Sequence, residues 1–348
     1  MRRPSSSHWF LAALGPLALQ GCQDAARQLS PTPVMSFARA EPAPLVPRLI
    51  APQVTDPDID WVPTFNPQFN HHVVWLDESR PANGKLFVFM AGAGPNSPRP
   101  RCCQLVQQEA ARLGYHVIGL IYPSNIGVGG CFGGGDPECF EDVRMEILDG
   151  VDRSAFVDVS HANSIDNRLT KVLLYLEAQF PTEGWSKFLH KGAPKWSQIA
   201  VGGHSSGAAQ AALIGKIRHV DRVVMLGGPA ADGPPEATWA SIGETPVAKY
   251  FALVHVRDHF GTAIFANIAA FDLERFGDPV QVELAEPPYD GAHILITDLA
   301  PQGGFETINN PHLSSAFDVQ TPLGPDGTPL LRDAWRYVLR DHETSGRW

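Results

Sequence analysis

The chain has 348 residues, of which 44% are hydrophobic and 18% are charged, so it is long enough to bury a full core as one large domain or two smaller ones. Its formal net charge is −10, and it contains no run rich in Lys and Arg, so it lacks the basic surface that DNA or RNA binding requires. We therefore expect one acidic, soluble domain with no nucleic-acid partner.

Residues 1–22 differ in character from the rest of the chain. Two arginines near the start precede an apolar run from Trp9 to Leu19, which is typical of an export signal. The run is shorter than the roughly 20 residues that a membrane-spanning helix needs. The ending LQGC is similar to the lipobox of bacterial lipoproteins, whose cysteine is acylated after cleavage. We expect a lipoprotein-type signal peptide over residues 1–21 and a lipid anchor on Cys22, with plain secretion after cleavage nearby as the alternative.

The next segment, residues 22–60, carries many Pro, Ala and Gln with little periodicity, which is typical of a tether. A main domain is expected over residues 61–348, where apolar, β-branched strands alternate with helices. This order is typical of a parallel sheet covered on both faces. The predicted strands are 71–77, 85–92, 115–123, 199–203, 222–229, 250–258 and 293–299, and the predicted helices are 104–113, 165–180, 208–217, 262–277 and 330–341.

Four further cysteines lie in this domain, and an exported protein is in a compartment where disulfides persist. Cys131 and Cys139 enclose the Gly-rich loop FGGGDPE, which is short and flexible enough to close, so we expect a disulfide between them. Cys102 and Cys103 are adjacent and rarely bond to each other because the ring is strained, so their pairing stays open. The sequence contains no C-x-x-C or H-E-x-x-H spacing, which argues against a metal site.

The strongest signal lies at residues 198–213, QIAVGGHSSGAAQAAL, where a strand-like run breaks at Ser205 and resumes as an Ala-rich helix. G-x-S-x-G between a strand and a helix is typical of a nucleophile elbow, in which a strained turn lifts the serine hydroxyl off the sheet. The flanking Gly203 and Gly207 lack Cβ atoms, so neighbouring backbone can approach the turn. The pattern could arise by chance in a chain with 32 glycines, but the strand and helix around it are the context that the motif requires.

With this motif in this context, the chain resembles the α/β-hydrolase superfamily from about residue 71 to the C-terminus. It looks most like secreted bacterial serine esterases or lipases of that fold. The resemblance implies a mostly parallel α/β-hydrolase sheet of about eight strands with helices on both faces. It also implies catalytic residues in the order Ser, then Asp or Glu, then His, with no cofactor and no metal.

Ser205 would be the nucleophile, and the chain order places the acid after it. Asp258 follows the strand FALVHVR, the second strand after the elbow, where this superfamily usually places its acid. Asp232, after the preceding strand, is the main competitor. A non-catalytic alternative is that Asp258 pairs with Arg257 or caps the following helix.

For the base, His312 is favoured because it lies in the loop NNPHLSS after the last strand, where Pro311 stiffens the approach. Three other histidines fit less well. His293 opens its strand at the wrong end of the sheet, His342 lies in the terminal helix, and His259 adjoins Asp258 so closely in sequence that the two side chains should diverge.

The oxyanion of acyl transfer needs two backbone N–H donors. One is expected from Ser206, the residue after the nucleophile, and the other from the loop Ala91-Gly92-Ala93-Gly94. Because this loop departs from the HGGG form of some esterases, Ala93 is preferred and Gly92 remains open. Three aromatic residues are weaker candidates for an acyl pocket, since large aromatics more often fill a core: Trp185, Phe188 and Trp196.

The sequence therefore predicts a serine hydrolase of the bacterial cell envelope, lipid-anchored or secreted, that cleaves small-molecule or lipid carboxylic esters through an acyl-enzyme. A peptidase or amidase uses the same three residues and is the first alternative. A surface binding protein that kept the fold and lost turnover is the alternative from a different class.

Overall fold

Nine strands of the described chain form one central sheet in the computed structural model. The structure describes residues 45–63, 69–93, 100–124, 128–132, 134–229, 238–241, 243–303 and 310–340. The strands of this sheet are β1 Arg48–Ile50, β2 His72–Trp75, β3 Leu86–Met90, β4 His116–Leu120, β7 Ile199–His204, β8 Arg222–Leu226, β9 Tyr250–His255, β10 Val280–Gln281 and β11 Ile294–Thr297, while β5 Leu189–His190 and β6 Ala193–Pro194 form a separate hairpin.

The sheet order is β1-β2-β4-β3-β7-β8-β9-β11-β10. The pairs β1–β2 and β2–β4 are antiparallel, and every later pair is parallel. The predicted mostly parallel α/β sheet is confirmed, with nine strands rather than about eight. The carboxyl ends of the parallel strands meet at one edge, where loops can bring distant side chains together.

Helices cover both faces of the sheet, as the run of buried strands predicted. Along β3, Leu86, Val88 and Met90 enter one buried cluster, and Phe87 and Phe89 enter the other, which is the period of two that a strand imposes. The helices are α1 Pro52–Thr55, α2 Gln104–Arg112, α3 Cys139–Asp149, α4 Ile165–Gln179, α5 Ser206–Ile217, α6 Gly261–Ala270, α7 Pro311–Ser314 and α8 Arg332–Leu339. The first face packs against α3, α4, α5 and α6, and the second against α2 and α8.

The expected tether over residues 22–60 needs a correction at its C-terminal end. Residues 48–50 form β1, which pairs with β2, and Ile50 is buried in the core. Arg48 donates two hydrogen bonds of 2.6 Å to the Glu183 carboxylate, and its guanidinium lies 4.1 Å from the centroid of the Phe180 ring. Partners so far away in sequence hold this segment in the folded domain, whereas its own composition suggested a tether. The expected signal peptide, Cys22 and residues 22–44 lie outside the described residues.

Helix α3 was not predicted, and α6 ends at Ala270, before the predicted end at residue 277. Among the described helices, none combines the length and the apolar character that crossing a bilayer requires.

Candidate active site

Ser205 lies at the turn between β7 and α5, as the motif predicted. Its backbone has φ 56° and ψ −122°, a strained conformation for a residue other than glycine. The Ser205 N–H donates to the Leu226 carbonyl of the neighbouring strand at 3.0 Å. The turn therefore presents the serine at the carboxyl edge of the sheet, at the N-terminus of a 12-residue helix.

Neighbouring atoms approach two of the glycines around this turn so closely that a side chain there would be crowded. A Cβ atom on Gly203 would lie 2.5 Å from the Gly207 carbonyl oxygen, closer than real Cβ atoms come. A Cβ atom on Gly92 would lie 3.1 Å from the Ser205 Cβ. The loop that follows β3 therefore packs directly against the Ser205 turn, and this is possible because residue 92 has no side chain.

The structure brings Ser205, His312 and Asp258 together, although 107 residues separate the serine from the histidine. The Nε2 atom of His312 lies 2.8 Å from the Ser205 Oγ, and its Nδ1 atom lies 2.8 Å from the Asp258 Oδ2. His312 is 5% exposed and the Asp258 side chain is fully buried. The three side chains form one hydrogen-bonded line from the carboxylate to the hydroxyl.

Asp258 follows β9, where the sequence placed it, and its second oxygen accepts the Phe260 N–H at 2.8 Å. Burial on its own raises the pKa of this carboxyl. The hydrogen bond and charge of His312, together with the Phe260 N–H, outweigh burial and leave the pKa of Asp258 below its ordinary value. Asp258 is therefore a buried carboxylate that stays ionised and faces an imidazole N–H.

His312 belongs to the short helix α7, where a loop was expected. Pro311 is its first residue, and the Asn310 side chain caps it by accepting the His312 N–H at 3.0 Å. Two aromatic rings pack edge-on against the imidazole: the Phe260 centroid lies at 4.8 Å and the His259 centroid at 5.2 Å. His259 is exposed, so it lies at the rim of the site.

Ser206 directly follows Ser205, and the loop that carries Ala93 approaches the Ser205 turn at Gly92. Ser206 opens α5, and the first N–H groups of a helix have no partner within the helix. Ala93 is half-buried at the end of the described part of the loop after β3, whereas Gly94 lies outside the described residues. The loop is anchored by the Tyr122 hydroxyl, which donates to the Ala91 carbonyl at 2.6 Å. Burial raises the pKa of Tyr122, so the phenol remains a donor.

Sequence reasoning missed two buried polar residues that contact this site. The Nε2 atom of His204 donates to the His312 carbonyl at 2.8 Å. The Arg144 guanidinium, on α3, donates to the Ser206 carbonyl at 3.1 Å and to its hydroxyl at 3.3 Å. His204 could have been noticed because it directly precedes Ser205, but no sequence signal indicated that Arg144 would reach the turn at Ser205.

Of the competing residues, His293 does not enter the site. His293 lies at the other end of the sheet, where its Nδ1 donates to the Tyr250 carbonyl at 2.8 Å. Its ring is stacked between those of Phe251 and Phe276, and burial lowers its pKa to about 4. Asp232 and His342 lie outside the described residues.

The three aromatic residues considered for an acyl pocket are not in the site. Trp185 and Phe188 are buried against the His116 ring, with centroids 4.7 and 5.0 Å away, at the N-terminal end of β4. Trp196 packs beneath the Arg218 guanidinium, 4.6 Å from its ring centroid. The pocket suggestion was therefore wrong, because these residues fill the opposite end of the sheet.

Cys131 and Cys139 are joined by a disulfide with a Cα–Cα distance of 5.7 Å, the pair that the sequence favoured. Cys102 is half-buried and Cys103 is buried, and both are free thiols. No group of three or more His, Cys, Asp or Glu side chains within the described ranges could hold a metal ion.

No family model matches this sequence, and no curated protein matches it. Similar solved structures include an α/β serine hydrolase without a lid from Xanthomonas campestris, at 10% identity and a TM-score of 0.36, covering 74% of this chain and 86% of that one. An inhibited esterase B from Lactobacillus rhamnosis matches at 11% identity and a TM-score of 0.37, covering 84% and 82%. A carboxyl esterase 2 from the fungus Tuber melanosporum matches at 10% identity and a TM-score of 0.38, covering 85% and 88%. Likenesses this distant leave the function to be argued from the chain's own residues.

Proposed function

We propose that this chain is a serine hydrolase that cleaves carboxylic esters through an acyl-enzyme, with Ser205 as nucleophile, His312 as base and Asp258 as the group that orients the base. One observation carries the proposal: the imidazole of His312 lies 2.8 Å from the Ser205 hydroxyl on one side and 2.8 Å from the Asp258 carboxylate on the other. A serine hydroxyl is a weak nucleophile near pH 7, and this arrangement is what activates it.

The hydrogen bonds determine which protons move. The Asp258 carboxylate accepts, so Nδ1 of His312 carries a hydrogen and Nε2 is free to take the Ser205 proton. As the Ser205 Oγ bonds to the acyl carbon, His312 becomes positively charged beside the ionised Asp258. The imidazolium then returns the proton to the leaving alcohol, and a water activated in the same way releases the acid from Ser205.

The negative oxygen of the tetrahedral intermediate is proposed to be bound by the N–H groups of Ser206 and Ala93. Support for Ser206 comes from its place at the start of α5, where unpaired N–H groups and the helix dipole favour negative charge. Support for Ala93 comes from the packing of its loop against Ser205 through Gly92. No cofactor or metal enters these steps.

The ester as substrate class and the cellular location are proposals from the sequence. The chain resembles esterases and lipases around G-x-S-x-G, which favours small-molecule or lipid esters. The N-terminal residues favour export and acylation of Cys22, which would tether the enzyme to a membrane of the cell envelope.

The test is a panel of p-nitrophenyl esters of rising acyl length, run on the purified chain and on Ser205→Ala. We expect Ser205→Ala to lose at least about 10³-fold in kcat, while Ser186→Ala, at an exposed serine outside the site, matches the parent. Labelling by a fluorophosphonate should also require Ser205. Equal turnover by the parent and Ser205→Ala would refute the mechanism.

Two further outcomes distinguish the alternatives. A parent chain that neither turns over esters nor reacts with the fluorophosphonate would be a binding protein. Faster cleavage of p-nitroanilides than of matched esters would make it an amidase or peptidase.

A further inference from the structure

His204 is the last residue of β7 and directly precedes the nucleophile, yet its side chain contacts the base. It is 1% exposed, and its Nε2 atom lies 2.8 Å from the main-chain carbonyl oxygen of His312. A carbonyl oxygen can only accept, so Nε2 carries the hydrogen and Nδ1 carries the lone pair. The Nδ1 atom has no hydrogen-bond partner among the described residues. It faces Gly92, where a Cβ atom would lie 3.2 Å away.

The segment that carries His312 needs support from outside itself. Helix α7 has only four residues, and a single isolated turn of helix is unstable in water. The Asn310 side chain caps one N–H group of this helix. The His204 ring packs against the His312 ring of the same helix. The His204 centroid lies 4.8 Å from the His312 ring and 4.9 Å from Phe317, which follows the helix.

An uncharged imidazole at position 204 does not oppose protonation of the adjacent His312 ring. In the proposed reaction His312 becomes positively charged, and a second imidazolium beside it would oppose that step. Burial, followed by the charge of His312, lowers the pKa of His204 to about 3, so its ring stays neutral while His312 is protonated. His204 therefore offers a hydrogen-bond donor to the base's main chain without adding charge.

We propose that His204 is a positioning residue: its Nε2–H donor holds the main chain of His312 at the depth from which the imidazole reaches Ser205. The inference rests on the proposed hydrolase function. His204 joins the strand that ends at the nucleophile to the helix that carries the base, so the two reacting side chains share one buried support. A displacement of about 1 Å at such a site can cost about 10²-fold in rate.

Three substitutions separate the parts of the His204 side chain. In His204→Gln the amide nitrogen takes the place of Nε2 and keeps the donor. In His204→Asn a polar group takes the place of Nδ1 and the donor to His312 is lost. In His204→Phe the ring remains and both nitrogens are lost. His293→Phe is the matched control, because His293 is also buried and donates to a main-chain carbonyl, but at the far end of the sheet.

We expect His204→Phe and His204→Asn to lower kcat by about 10²-fold with KM changed by less than about twofold, and His204→Gln to recover kcat to within about fivefold of the parent. Fluorophosphonate labelling of Ser205 should slow in the same order. His293→Phe should lower the melting temperature and leave kcat near the parent value. A merely structural role for His204 would produce the His293→Phe pattern.

Parent-like kcat in a folded His204→Phe, or His204→Asn as active as His204→Gln, would overturn the inference. If His204→Phe does not fold, the Gln and Asn variants still decide. A second readout does not need turnover: the downfield proton NMR signal of the His312 Nδ1–H should persist in His204→Gln and shift or vanish in His204→Asn. A parent without Ser205-dependent hydrolysis would refute the proposed function, while an NMR signal unchanged in every variant would refute the positioning role.

Discussion

Lowering the pH from 7 to 5 is expected to lower the free energy of unfolding through His204. The size of this loss follows from the difference between the pKa of His204 in the folded and in the unfolded chain. In the folded chain burial lowers the pKa of His204 to about 3, whereas the unfolded value is 6.5. At a pH between about 3 and 6.5, the unfolded chain binds a proton at His204 that the folded chain does not bind. Stability is therefore fully present above pH 6.5 and is lost as the pH falls below it.

At pH 5 the unfolded histidine lies 1.5 pH units below its pKa of 6.5, and each unit is worth about 1.4 kcal/mol. The His204 contribution to the free energy of unfolding should therefore fall by about 2 kcal/mol between pH 7 and pH 5. That is a large part of the roughly 5–15 kcal/mol by which domains are stable.

The assay is urea unfolding at pH 7 and pH 5 for the parent and for His204→Gln, which keeps a donor but cannot titrate. The parent should lose about 2 kcal/mol more than the variant between the two pH values. Burial raises the pKa of Asp318 to about 6, which favours the folded state as the pH falls, but this effect is present in both proteins and cancels in the comparison. His293→Phe should differ from the parent in the same direction.

If His204→Gln and the parent lose the same free energy between pH 7 and pH 5, His204 is not held neutral by burial. That result would also remove the electrostatic support for its role beside His312.

Three further changes have defined outcomes. Asp258→Asn should lower kcat on p-nitrophenyl acetate by about 10³–10⁴-fold with little change in KM, and a loss below about tenfold would contradict its role in orienting the base. Replacing Cys131 and Cys139 by serine should lower the free energy of unfolding by about 2–3 kcal/mol in urea, and the parent should lose the same amount when dithiothreitol is added. Gly92→Ala should crowd the Ser205 Cβ, 3.1 Å away, cost about 1–3 kcal/mol of stability and lower kcat; a variant with parent kinetics would show that the loop can yield without cost.

The sequence predicted the strands around the site well because they are buried on both faces. The runs LFVFM and RVVML are continuous and apolar, as strands in a parallel sheet must be, and both are strands in the structure. Strand β1 was missed because it has three residues and no pattern of its own. It forms because β2 supplies its hydrogen-bond partners and Glu183 supplies a carboxylate for Arg48.

The position of Ser205 could be predicted because the elbow is a local feature: a strand, a strained turn and a helix follow one another within a few residues. The positions of Asp258 and His312 were predictable only as loops after particular strands. The distances from the His312 ring to Ser205 and to Asp258 depend on where α7 lies. The connection that precedes α7, residues 304–309, lies outside the described residues.

By itself, the sequence determined the local features: alternating strands and helices, the strained turn at Ser205, and a short loop that Cys131 and Cys139 can close. Only the tertiary structure decided which distant groups meet. His204 contacts a carbonyl 108 residues away, and Arg144 contacts the elbow across 62 residues. Local backbone preferences and burial patterns are written in neighbouring residues, whereas such hydrogen bonds exist only once the helices have packed on the sheet and excluded water from both partners.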